Sequence, residues 1–383
     1  MNSRERVSLA LNHREPDRVP FDLGATYVTG IHKKAYVRWR EALGLPPVEP
    51  VTFEMLQQLA RVDDDMVEAL GVDVRPVTPS GSLTFSLTVG DVGEYTFFHD
   101  EWGIGWRMPK DGGSYYDMFD HPLAGDITVD AIALCRYPNP ARGERYQGMR
   151  ERAQRIVKGQ RRAVVVTQMT AGITEIAAWT RGYEDFYADL ALNHGLIGAL
   201  LDKVLEVQMG YWSRALAEAG EHVDVMMLGD DFAGQKTLLM SPGAWRKLVK
   251  PRLTELFNFM HARSNAKLFL HSCGAIREVL PDLIEIGLDI TNPVQVSAPG
   301  MDSADLKREF GKDLVFWGGG VDTQHVLPHG TPEQVRAEVR RRLDDLMPGG
   351  GFVFNPVHNV QPDVPTENLV AMWETLQQYG AYR

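Results

Sequence analysis

The residues in this chain best placed to do metal chemistry are His271 and Cys273. They follow Leu268-Phe269-Leu270, which reads as a short buried strand. In extended backbone, residues two apart point to the same side, so the imidazole and the thiol converge just beyond the strand end. Both are good zinc ligands, and a thiolate favours a soft or borderline metal. Gly274 lets the chain turn beside the pair. The same spacing also suits an ordinary core pair at the end of a strand, so the pair takes its meaning from its setting.

That setting is a regular alternation. Val19–Leu23 and Val72–Val77 read as early strands. Ala163–Val166, Val223–Met227, Lys267–Leu270, Leu288–Ile290, Leu314–Trp317 and Phe352–Phe354 follow, with helical segments between them. Asn2 with Glu5, Ser241 with Pro242, and Thr331 with Gln334 read as helix starts. Residues 31–70 read as mostly helical. Eight strands alternating with helices predict an α/β fold, a (β/α)8 TIM barrel of one domain over 1–383. Residues 80–120 break the rhythm. Leu83–Val89 and Tyr95–Phe98 read as strands joined by a turn at Gly90-Asp91, within a β-rich insertion after the second strand.

In such a barrel the chemistry sits just after the strands. His358, at the end of the eighth strand, then joins His271 and Cys273 as a third metal ligand. Three protein ligands leave a fourth position for water or substrate, the catalytic pattern for zinc. Asp230 and Asp231 follow the fourth strand. Adjacent side chains point apart, so one is expected to face the site and the other to cap a loop. Glu175 is a further ligand, a general acid, or a residue that starts a helix near the positive end of its dipole. Asn292 and Gln295 offer neutral hydrogen bonds to a substrate oxygen, and Asp322, after the glycine turn at 318–320, is grouped with them. That turn is not a phosphate loop, because no Lys-Ser or Lys-Thr follows. The remaining histidines have no comparable setting.

Composition narrows the class. The chain has 383 residues, 44% of them hydrophobic, and a formal net charge of -11, which makes nucleic acid and anionic membranes poor partners. Its 2 cysteines form no disulfide framework. No run is long and apolar enough for a membrane span, and the start lacks the apolar stretch of a secretory signal, so a cytoplasmic protein is expected.

The motifs also carry a resemblance. The chain resembles the uroporphyrinogen decarboxylase superfamily, and within it the corrinoid-dependent methyltransferase branch. The resemblance rests on Arg14-Glu15-Pro16-Asp17-Arg18-Val19-Pro20, Asp100-Glu101-Trp102-Gly103, Leu228-Gly229-Asp230-Asp231 and His271-Ser272-Cys273-Gly274. It continues through Asn292-Pro293-Val294-Gln295, Gly319-Gly320-Val321-Asp322 and the stretch from His358 to Pro365. The decarboxylases' arginine-bearing Met-Arg-Gln-Ala-Gly-Arg-Tyr pattern is absent, Ala178 stands where they carry tyrosine, and Asp231 replaces a serine. These departures point away from porphyrinogen decarboxylation, although His358 matches their late histidine. The methyltransferase branch holds zinc with a His-x-Cys pair and a later cysteine, and here His358 takes the later position. Exchanging a thiolate for an imidazole makes the metal more electrophilic, which suits an oxygen leaving group.

The resemblance therefore implies a zinc-dependent methyltransferase that moves a methyl group from a small O-methyl donor, aromatic or not. The acceptor is the Co(I) of a cobalamin-type corrinoid carried by a partner protein. Asp230, Asp231 or Glu175 would serve as the acid. Trp102 and Trp106 in the insertion either shape the mouth or only pack the insertion. The resemblance leaves a homodimer open. Two other readings fit the same residues: a metal-free decarboxylase of a smaller substrate, and a non-catalytic barrel that binds a corrinoid protein or a tetrapyrrole.

Overall fold

The computed structural model describes residues 1–79 and 87–382. In chain order the strands are Thr52–Glu54 (β1), Leu59–Ala60 (β2), Val74–Val77 (β3), Gly90–Val92 (β4), Tyr95–His99 (β5), Gly105–Pro109 (β6) and Asp117–Asp120 (β7). They continue with Ala163–Thr167 (β8), Val225–Gly229 (β9), Lys267–His271 (β10), Ile290–Asn292 (β11), Val315–Trp317 (β12) and Phe352–Val353 (β13).

Seven of these form one curled sheet in the order β13-β12-β11-β10-β9-β8-β3, with every neighbouring pair parallel. Every residue of β8 and β9 is buried, as expected of strands covered on both faces. The gap between β13 and β3 is closed by the extended segment expected as the first strand. Phe354 N donates to Pro20 O at 2.8 Å, Asp22 N to Phe354 O at 2.9 Å, and Asp73 N to Phe21 O at 2.8 Å. This segment makes an isolated parallel bridge, Phe21 to Phe354, rather than a full ladder. Pro20 has no N–H to give, which limits the pairing. The (β/α)8 barrel read from the alternation is thereby present.

Asp73, wholly buried, ties the bottom of this seam together. It accepts from Arg6 at 2.6 Å, from Arg18 at 2.8 Å and from Phe21 N at 2.8 Å. The Asp17-Arg18 stretch is thus a structural clamp, with Asp17 also paired to Arg6 at 2.6 Å. The expected caps form. The Asn2 side chain accepts from Glu5 N at 3.0 Å and the Glu5 carboxylate accepts from Asn2 N at 3.0 Å. Thr331 and Gln334 repeat the pattern at the helix Pro332–Leu346.

Two expectations need correction. Residues 31–70 are less helical than their pattern indicated: Lys33–Ala42 and Asp64–Leu70 are helices, but β1 and β2 form an antiparallel hairpin between them. Pro46, Pro47 and Pro50 explain the break, because each lacks the N–H that a helix needs. In the insertion, residues 83–86 of the strand expected over Leu83–Val89 lie outside the described residues. Gly90 and Asp91 belong to β4, and the turn falls at Gly93-Glu94, with Gly93 at a positive φ.

β4–β7 make an antiparallel four-stranded sheet in chain order. Its tryptophans fasten it to the barrel. Trp102 Nε1 donates to Thr170 Oγ1 at 2.8 Å, in the loop after β8. Trp106 Nε1 donates to Asp100 at 2.8 Å, and its ring meets Trp179 edge-on at 5.4 Å. Both indoles are nearly buried. Among the described residues, no helix is long and apolar enough to cross a membrane.

Candidate metal centre

His271 is the last residue of β10, and the parallel register sets it level with Gly229 on β9 and Asn292 on β11. Its Nδ1 lies 2.5 Å from Asn292 Oδ1. The Asn292 amide nitrogen donates to Trp317 O at 2.8 Å, so the amide oxygen must be the atom facing the imidazole. Nδ1 therefore carries the proton and donates it to Asn292, which leaves Nε2 with a free lone pair. Cys273 Sγ is 3.3 Å from that Nε2. The His358 ring packs at 5.3 Å, centroid to centroid, from His271. The ligand atoms of His271, Cys273 and His358 all lie within 4.8 Å of one another. Donors on a tetrahedral zinc are separated by about 3.3–3.6 Å, given bonds of roughly 2.0–2.3 Å. The set thus fits zinc in donor type and in having an oriented imidazole, and the Cys273–His271 pair already has a zinc-like separation.

Burial holds both imidazoles neutral. His271 is pushed down to about 4 by burial, and His358 to about 4 by burial and the neighbouring His271. Neutral imidazoles are what a metal binds. Burial raises the Cys273 thiol well above its usual value, and the negative charges of Asp231 and Glu175 add to the effect. A bound cation reverses this balance and favours the thiolate.

The adjacent aspartates diverge as their alternation predicts. Asp230 turns to the start of the helix Ile173–Arg181. It accepts from Thr174 N at 3.0 Å, Thr174 Oγ1 at 3.0 Å and Glu175 N at 3.0 Å. Burial nevertheless lifts it to about 7. Asp231 turns the other way, accepting from Cys273 N at 2.7 Å and lying 3.9 Å from His271 Nε2. Burial raises its pKa, against the opposing pull of Cys273 N–H and His358. Glu175 is in the first turn of the same helix, where Gly172 N donates to it at 3.5 Å. Burial and the charges of Asp231 and Asp230 push it well above the carboxylate range. Three carboxyl groups thus gather beside the donors, and the like charges favour keeping a proton among them.

The residues grouped for substrate binding separate. Asn292 is wholly buried and orients His271. Gln295 accepts from Gly274 N at 2.6 Å and donates to Gln235 at 2.7 Å, so it holds the turn that carries Cys273. Asp322 accepts from Gln324 N at 2.8 Å within its own turn. Cys135 and Cys273 are both free thiols.

Three supporting residues escaped the sequence reading. Gln168 closes β8 onto β9 at the rim, accepting from Gly229 N at 2.8 Å. Thr174 supplies two of the donors that hold Asp230. Asn359, wholly buried beside His358, accepts from Gly30 N at 2.6 Å and donates to Tyr27 O and Gln57 Oε1, each at 2.8 Å. It laces the loop that carries His358 to the loop after the closing segment. A polar residue next to a candidate ligand was the available signal for Asn359.

Comparison with known proteins follows the geometry. A family model described as "Uroporphyrinogen decarboxylase (URO-D)" matches residues 101–379. Methylcobamide:CoM methyltransferase MtaA of Methanosarcina barkeri strain Fusaro is 24% identical over 385 residues, covering 99% of this chain and 98% of that protein. A second Methanosarcina barkeri protein of that name is 28% identical over 181 residues, covering 47% of this chain and 48% of its own length. The uroporphyrinogen decarboxylase of Pseudoalteromonas translucida is 29% identical over 162 residues, covering 39% of this chain and 43% of that protein. The chain thus spans about half the length or less of these last two relatives. Among solved structures, a methyltransferase from Methanosarcina mazei superposes with a TM-score of 0.66 at 20% identity, covering 100% of both chains, and so shares the fold. The family match over residues 101–379 takes in the whole donor set and its carboxylates, and this chain belongs to the uroporphyrinogen decarboxylase (URO-D) family.

Proposed function

We propose that this protein is a zinc-dependent methyltransferase, in which a small O-methyl donor passes its methyl group to the Co(I) corrinoid of a partner protein. The observation that carries the reading is the cluster of His271, Cys273 and His358 at the barrel mouth, within 4.8 Å of one another. The full-length similarity to methylcobamide:CoM methyltransferase MtaA supports methyl transfer involving a corrinoid. The donor set supports the choice of an oxygen leaving group, because two imidazoles and one thiolate quench the metal's charge less than two thiolates do.

His271, Cys273 and His358 would hold the zinc, which would supply a Lewis-acid position for the donor oxygen. The chain's own residues do the rest. Asn292 holds the His271 tautomer. Gln295 holds the Cys273 turn. As the methyl group departs, the donor oxygen gains negative charge and must take up a proton. Glu175 and Asp231, whose carboxyl pKa values burial raises above the ordinary range, would be the groups to supply it. Asp230 faces the helix start and steadies Glu175 through its backbone.

The test combines metal analysis with a methyl-transfer assay. Purified protein should hold about one zinc per chain, lost in His271→Ala, Cys273→Ser and His358→Ala. It should methylate free cob(I)alamin from aryl or alkyl methyl ethers. Failure to take up zinc sinks the mechanism. Zinc uptake with methyl transfer only from methylcobalamin to a thiol would place the activity with the named relatives' reaction and sink the ether assignment.

A further inference from the structure

A cavity of about 450 Å³ opens outside the metal centre, lined by Arg61, Arg75, Arg152 and Arg155 together with Asp63 and Asp64. Its apolar wall includes Phe53 and Ile156. It lies against the end of β3, where Thr78 Oγ1 meets Thr167 Oγ1 of β8 at 3.0 Å. The cavity therefore sits beside the barrel mouth, between the hairpin side and the segment preceding β8.

The charges here do not cancel. Arg75 pairs with Asp64 at 2.6 Å and donates to Val62 O at 2.9 Å. Arg61 reaches Asp63 only at 3.8 Å. The hydrogen bonds of Arg152 go to carbonyl oxygens, Gln147 O at 2.9 Å and Thr78 O at 3.1 Å. Arg155, one helical turn from Arg152, has neither an ion pair nor a side-chain hydrogen bond among the described residues. Four arginines and two aspartates thus line the cleft in a chain whose net charge is -11. Like charges one turn apart repel, and an anion between them removes that repulsion. Guanidinium forks match the oxygens of phosphate bidentately. The cavity is in the size range of small-molecule sites, about 300–1,000 Å³, and has the mixed apolar and polar lining such sites show.

We propose that this cleft binds a small organic phosphate, with the phosphate held by Arg152, Arg155 and Arg61 and the apolar body against Phe53 and Ile156. The proposal stands apart from the methyltransferase reading, since it uses none of the metal donors or their carboxylates.

Isothermal titration calorimetry with inorganic phosphate and with phenyl phosphate tests it, on wild type, Arg155→Gln and Arg152→Gln. Both probes should bind, with phenyl phosphate the tighter. Each substitution should weaken binding by about tenfold, the loss of one charge-assisted contact. Arg155→Gln keeps the test sound, because that side chain is exposed and makes no ion pair or side-chain hydrogen bond among the described residues, so its variant should melt as wild type does. Absence of binding at millimolar concentrations overturns the proposal. So does binding that both variants leave unchanged. Phenyl phosphate binding no tighter than phosphate overturns the organic part, leaving an adventitious oxyanion contact only.

Discussion

His271 and Asn292 face each other across neighbouring parallel strands, with Nδ1 at 2.5 Å from the amide oxygen and the amide nitrogen committed to Trp317 O. That relay fixes which imidazole nitrogen is free. Asn292→Leu should leave the ring unoriented and weaken zinc binding by about 10–100-fold, the usual cost of losing such a partner. Competition with a chromophoric chelator measures this directly. Equal affinity in the variant would show that the amide does not govern the metal.

Glu175 and Asp231 should set the alkaline limb of the pH profile. Both are raised by burial, so each keeps its proton to a higher pH than a free carboxyl group does. An acid works only while protonated, so methyl transfer should fall as pH rises through that range. Glu175→Gln or Asp231→Asn, whichever removes the working acid, should lower the rate by about 10²–10⁴-fold and flatten that limb. A limb that persists in both variants would assign the proton to another group.

Asp22 offers a pH-dependent test of stability. It is wholly buried beside Trp317 Nε1 at 2.9 Å, and burial lifts it to about 7. A carboxyl group raised on folding favours the native state while protonated and loses that contribution as pH climbs through the raised value. Relative to wild type, Asp22→Asn should therefore gain stability between pH 5 and pH 8, by roughly 2–4 kcal/mol. The altered hydrogen bonds shift both pH values alike, so the difference isolates ionisation. Urea unfolding at the two pH values reads it, and a pH-independent offset would refute the raised value.

Gly172 leaves room for the Asp230 carboxylate. A methyl group at this position would overlap the carboxyl group that caps the helix Ile173–Arg181. Gly172→Ala should cost about 1–3 kcal/mol, the usual range for overpacking, and should displace Glu175 with the helix start. Unchanged urea midpoint and rate would mean that the carboxylate relocates freely.

The strand-and-helix rhythm was readable because parallel strands buried on both faces appear as continuous apolar runs, such as Ala163–Val166 and Leu268–Leu270. The donors were readable for a related reason: two residues apart at a strand end share a side, and barrel strand ends converge on one rim. The duties of Asn292 and Gln295 were not. Both read as substrate contacts; in the fold Asn292 meets His271 across the β10–β11 register and Gln295 accepts from Gly274 N, contacts between separate elements that the local sequence does not show. The direction of each aspartate likewise depends on another element, the helix start after Gly172 for Asp230 and the Cys273 turn for Asp231. The hairpin at 52–60 was hidden because the prolines just before it, Pro46, Pro47 and Pro50, were outweighed by the helical pattern around them.

Asn359 binds the loop of His358 to Gly30 and Tyr27, near the other end of the chain, while Phe354 pairs with Phe21 at the barrel seam. The third donor therefore reaches its place only when the two ends of the chain have met. A nascent chain that has made His271 and Cys273 still lacks the third member of the cluster, so under the proposed zinc reading metal capture would come at the end of assembly. The ion would then act as a latch on a finished barrel, and its retention would report that the seam has closed.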